Sequence, residues 1–182
     1  MQTLSQEDFV KKTEHQLEEQ LKEVISVFQN LSEADLLKPA SNNGWSIAEC
    51  IEHLNTYAAF YQPQVAIAIE KAQRNNSPAI FKHSFLGQYF INSMDPARSK
   101  KKFKALKRHV PLNVKSPNTV VSTFIQHLEN MLVVLKQAAH KNLEKKSVKT
   151  SISTWIKINP GDAIQFLLTH NKRHLDQARR NL

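Results

Sequence analysis

The stretch Trp45-Ser46-Ile47-Ala48-Glu49-Cys50-Ile51-Glu52-His53-Leu54-Asn55-Thr56-Tyr57-Ala58 decides the fold. Ser46 followed three residues later by Glu49 is a capping box: each side chain satisfies a backbone N–H that the helix start leaves open. Behind it Ile47, Cys50, Ile51, Leu54, Tyr57, Ala58 and Tyr61 recur at the helical period, which predicts a helix to about Arg74. Pro63 removes one backbone bond and predicts a kink near its middle. Asn75-Asn76-Ser77-Pro78 stops it. His53 falls between Cys50 and Tyr57 on the partly apolar face, so the expectation is an inward ring.

Three more long helices follow from the same periodicity. The first runs from Gln6 to about Asn30, capped by Ser5 with Asp8 in its first turn, and carries Val10, Leu17, Leu21, Val24 and Phe28. The linker behind it ends in Pro39-Ala40-Ser41-Asn42-Asn43-Gly44. The third helix starts at Ser116-Pro117 and ends near Lys141, with Val120, Val121, Phe124, Ile125, Leu128, Met131, Leu132 and Leu135 as a wide buried face. An extended segment, Ile152 to Ile158 with Trp155, leads to Asn159-Pro160. The fourth helix runs from Gly161 to about Arg180 with Ala163, Phe166, Leu167, His170, His174 and Gln177 along one side. Between the second and third helices, Phe81, Phe85, Leu86, Tyr89, Phe90 and Ile91 can dock a short helix. Four long helices without a strand pattern predict an all-α four-helix bundle, and 182 residues predict a single domain over 1–182.

His170 and His174 are spaced i, i+4, which stacks two imidazoles on one helix face about one turn apart. His53 supplies a third nitrogen if its helix packs alongside. Three neutral imidazoles hold a divalent ion and leave one coordination position open for chemistry. The competing reading of each is a packed core histidine with one hydrogen-bonded nitrogen. His127 borders the buried face of the third helix and is a candidate to line the site, cap its mouth or add a fourth ligand. His15, His83, His109 and His140 read as ordinary surface or connector residues. Cys50 reads as a small buried hydrophobe, with a thiolate ligand or nucleophile as the alternative. Glu49 is accounted for by the capping box, and Glu52 points to the neighbouring face.

The net charge of +9 is local. Arg98, Lys100, Lys101, Lys102, Lys104, Lys107, Arg108 and Lys115 lie in a stretch without one acidic residue, and the rest of the chain is near neutral. The segment 98–115 reads as a solvated surface connector, or as a contact for an acidic partner or nucleic acid. Phe103 is its one aromatic residue, so base stacking is poorly supplied and nucleic acid is not the expected partner. Three glycines exclude a glycine-rich phosphate loop, and one cysteine excludes an intrachain disulfide. The polar start and the absence of a long apolar run lead to the expectation of a cytoplasmic protein with no membrane span.

Residues Gly44 to Leu54 resemble the second-helix signature of the DinB-like (YfiT-type) bundle family, where a tryptophan and a Ser or Thr cap precede a metal-binding histidine. Asn159-Pro160-Gly161-Asp162, followed by His170-Asn171-Lys172-Arg173-His174-Leu175-Asp176-Gln177, resembles the last helix of that family. The resemblance implies an up-up-down-down bundle, often a homodimer, with His53, His170 and His174 on a zinc or nickel ion. Relatives include thiol S-transferases that use bacillithiol and a mycothiol-dependent isomerase. The basic stretch 98–115 departs from a compact member and reshapes the mouth of the site.

Two functions follow as expectations. One is a metal-dependent small-molecule transferase or hydrolase, with a low-molecular-weight thiol or water in the open position and Arg173 or the basic segment holding an acidic cosubstrate. The other is a non-catalytic metal-binding or stress-related binding module whose basic segment contacts an acidic partner or nucleic acid.

Overall fold

The computed structural model describes residues 4–41, 44–75, 80–99, 103–112 and 114–182. Helix α1 (Gln6–Glu23) continues through a π-helical turn at Val24–Phe28. The short α2 (Glu33–Leu37) lies in the linker; Ser32 caps it and Leu36 anchors it in the core. Helix α3 (Ile47–Glu70) opens with the expected capping box: Ser46 N donates to Glu49 at 2.8 Å and Glu49 N to Ser46 Oγ at 3.2 Å. It is continuous through Pro63, and Ala59, whose carbonyl Pro63 leaves without its helical donor, lies with Pro63 on the exposed face. Helix α4 (Phe85–Met94) is the docked short helix, followed by α5 (Pro117–Ala138) and α6 (Pro160–Arg179).

Two small antiparallel pairs complete the fold. Strand β1 (Leu4–Ser5) pairs with β2 (Ile80–Phe81), and β3 (Val148–Lys149) pairs with β4 (Lys157–Ile158). The segment expected to be extended from Ile152 is therefore a hairpin, with Trp155 93% exposed in its turn. Helix α4 also docks differently from the expectation: Gly87 and Ile91 face inward, while Phe85 is 86% exposed.

The chain forms an all-α bundle in which α1 and α3 each pack against both α5 and α6. The directions of the helices correct the up-up-down-down order. Asn55 and Gln62 of α3 donate to the carbonyls of Val120 and His127 in α5, so these two helices run parallel. Gln165 donates to Gln16 and Gln20 to the Leu168 carbonyl, so α1 and α6 also run parallel. Gln6, at the start of α1, donates to the Ala138 carbonyl at the end of α5, so these are antiparallel. Asn181, beyond α6, donates to the Trp45 carbonyl in front of α3. The order is up-down-down-up. The reason is the long connection from α3 to α5, which returns along the bundle and restarts the chain at the end where α3 began.

Asp162, fully buried in the first turn of α6, fixes α4. It accepts from His83 Nδ1 at 2.7 Å and from Ser84 Oγ at 2.6 Å. Gly87 lies directly against this carboxylate, and an added Cβ would run into it. Among the described residues no helix is long and apolar enough to cross a membrane. We expect Gly87→Ala to destabilise the protein by about 2 kcal/mol, since neither the helix nor the buried carboxylate can yield. A lower urea midpoint at unchanged slope is the readout.

Candidate metal centre

Helix α6 presents His170 and His174 on one face, and the antiparallel α3 brings His53 against them. Ring centroids are 5.1 Å apart for His53–His170, 4.5 Å for His53–His174 and 4.6 Å for His170–His174. One ligand nitrogen from each lies within 4.8 Å of the others. His53 is 2% and His170 3% exposed, whereas His174 is partly open to solvent. No carboxylate or thiol belongs to this group among the described residues.

Hydrogen bonds orient two of the rings. His53 Nδ1 lies 2.6 Å from the His109 carbonyl, so it carries the proton and leaves a lone pair on Nε2. His174 Nδ1 lies 3.0 Å from Gln177 Oε1, and its Nε2 is freed in the same way if the amide oxygen accepts. His53 Nε2 and His170 Nε2 are 3.3 Å apart. Two nitrogens each roughly 2.0–2.1 Å from a tetrahedrally bound ion stand about 3.3 Å apart, so the donor spacing fits such an ion. His170 Nδ1 is buried without a partner.

Burial lowers the pKa of every imidazole here, because charging a ring costs more away from water. His170 is held well below the usual value by burial and then by His174 and His53. His174 is pushed down to about 3 by burial and then by His53. The rings are therefore neutral, as metal ligation requires. Aromatic side chains wall the group: Trp45 is 4.8 Å from the His53 ring, Tyr57 4.2 Å and Phe166 5.7 Å from His170.

The other candidates lie apart. His127 Nδ1 pairs with Gln62 Oε1 at 3.0 Å and links α5 to α3; it is not part of the group. Cys50 is fully buried, and burial pushes its thiol up to about 12, so it is the packed hydrophobe rather than a thiolate. Arg173 Nη1 reaches the carbonyls of Met94 at 3.5 Å and Ser99 at 3.3 Å, which anchors the start of the basic segment to α6. A groove of about 950 Å³ opens on the other side of α6, lined in part by Gln16, His83, Gln88 and Lys172, and does not include the three histidines.

His109 corrects the reading of an ordinary connector residue. It is 2% exposed inside the basic segment and its ring lies 4.0 Å from Tyr57. The sequence signal was faint: Leu106, Val110 and Pro111 give it apolar neighbours. Among its described residues the basic segment thus has a buried side as well as a solvated one.

A family profile described as the DinB superfamily matches residues 16–178. The chain belongs to the DinB superfamily. A search of curated proteins and a search of solved structures gave no match. Members of the DinB superfamily are often metal-binding, and the three histidines could hold a metal ion.

Unfolding returns His53, His109, His127, His170 and His174 to a pKa near the usual 6.5, from lowered values in the folded chain. Below that pH the unfolded chain binds more protons than the folded one, so stability rises with pH. We expect the metal-free protein to lose stability as pH falls from about 6.5 toward the lowered values. Urea unfolding across this range tests it, and His174→Phe flattens the slope. Cys50 is expected to resist alkylation at pH 8 until the protein is unfolded.

Proposed function

We propose that the protein is a metal-dependent transferase that joins a low-molecular-weight thiol to an electrophilic small molecule. The observation that carries this reading is the convergence of three neutral imidazoles, two buried and one partly open, with no carboxylate among them in the described residues. That donor set suits zinc or nickel. A divalent ion held by His53, His170 and His174 would lower the pKa of a thiol or water bound to it and so supply the nucleophile.

The protein's own groups set the conditions. The imidazoles are neutral, so the ion's double charge is not cancelled, which favours an anionic ligand such as thiolate. Approach is from the His174 side, since His53 and His170 are buried. Trp45 borders both His53 and His174, with centroids at 4.8 and 6.0 Å, and offers a flat apolar surface to the electrophile. In the transfer, the thiol proton leaves for solvent, sulfur bonds to the electrophilic carbon, and the leaving group departs with the bonding pair. The lone cysteine, buried as a free thiol, is compatible with a reducing, cytoplasmic setting. With water in place of thiol the same site would act as a hydrolase.

Untagged protein is expected to carry about one zinc or nickel ion per chain, and His53→Ala, His170→Ala and His174→Ala to carry almost none. Thiol conjugation to monochlorobimane is expected to stop on chelation and return with added metal. Activity that survives complete metal removal would overturn the proposal.

A further inference from the structure

Described parts of the connection between α3 and α5 touch both helices that carry the three histidines. Arg173 of α6 reaches the Met94 and Ser99 carbonyls at one side. On the other side a short 3-10 turn, Lys107–His109, sits against α3. Lys104, Lys107 and Arg108 are exposed, and His109 alone turns fully inward among the residues 103–109.

His109 closes a circuit that begins and ends on His53. The His53 backbone carbonyl accepts from Thr56 Oγ1 at 2.7 Å. Having spent its proton there, Thr56 Oγ1 accepts from His109 Nδ1 at 3.0 Å. The His109 backbone carbonyl then accepts from the His53 ring at Nδ1, at 2.6 Å. The ring that must aim Nε2 at its two partners is therefore held through its own backbone, one turn further along α3. The outer hydrogen bond of a ligating histidine fixes both tautomer and ring angle.

The choice of side chain at 109 points the same way. The Nε2 of His109 is buried with no partner. A leucine or phenylalanine would pack on Tyr57 without leaving such an atom. What the imidazole adds is the Nδ1–H that Thr56 receives.

We propose that His109 is a positioning residue of the metal centre: docked through Thr56, it sets the tautomer and angle of His53. The proposal rests on the metal reading given above. It assigns the basic segment a structural part in the centre, so that loosening the segment loosens the ion without removing a ligand.

The test uses the full chain and zinc itself. Thr56→Val removes the acceptor with little change of volume, Thr56→Ser keeps it, and His109→Leu removes the donor while keeping an apolar packing group. Zinc affinity is measured by competition with a chelating indicator, together with the rate of release to excess chelator. Thr56→Val and His109→Leu are expected to weaken zinc binding about tenfold or more and to speed release, while Thr56→Ser binds as the parent does. The visible bands of the cobalt-loaded protein are expected to shift in the same two variants. Metal-free thermal unfolding provides the control, because a merely structural role would lower that midpoint and leave affinity alone. If the parent binds zinc, His53→Ala loses it, and Thr56→Val and His109→Leu retain parental affinity, this inference fails and the metal reading stands. If the parent binds no divalent ion, both fail.

Discussion

Two imidazole nitrogens, His53 Nε2 and His170 Nε2, meet at 3.3 Å where water is nearly excluded. Lone pairs so close repel unless a cation or a shared proton lies between them. The fold holds them there by packing α3 antiparallel to α6 and tying the two ends together, with Asn181 donating to the Trp45 carbonyl at 2.8 Å. The capping box at Ser46 starts α3 at a defined residue, and that sets the height at which His53 faces α6. Asn159 does the same for α6, accepting from Asp162 N at 2.6 Å.

The parallel course of α3 and α5 has a second consequence. A chain that leaves α3 at one end and enters α5 at the other must travel the length of the bundle. Loop closure grows slowly in cost with length, so such a return is affordable. Among its described residues 103–112 the segment is amphipathic: Lys104, Lys107 and Arg108 face water, while His109 and Pro111 are buried. Its charge keeps the outer side solvated, and the buried contacts fix its course.

The surroundings of the three rings are consistent in chemical character. Phe166 stacks on His170, and Trp45 and Tyr57 lie tilted against His53 and His170. Desolvation keeps each ring uncharged, and Arg173 next to His174 and near His170 adds to that effect. Under the proposed function, an ion in this setting would meet no protein anion, and its remaining charge would be offered to whatever ligand enters beside His174.

The sequence by itself determined the long helices, since periodicity and caps are local and each helix can be read from its own residues. It also determined which histidines share a face of α6, because i, i+4 spacing is a property of the helix alone. The meeting of His53 with that pair was an inference from family resemblance until the packing of α3 on α6 was known. Helix direction was not legible, because an apolar stripe packs equally well in either sense and only the course of the connections decides. His109 and Thr56 were not legible for a related reason. Their roles depend on a hydrogen bond between residues 53 apart in the chain, and the apolar neighbours of His109 are too faint a local signal to reveal it. What the tertiary structure alone decided was the outer support of the site, since a connector residue acquires its partners only when the chain has folded back across them.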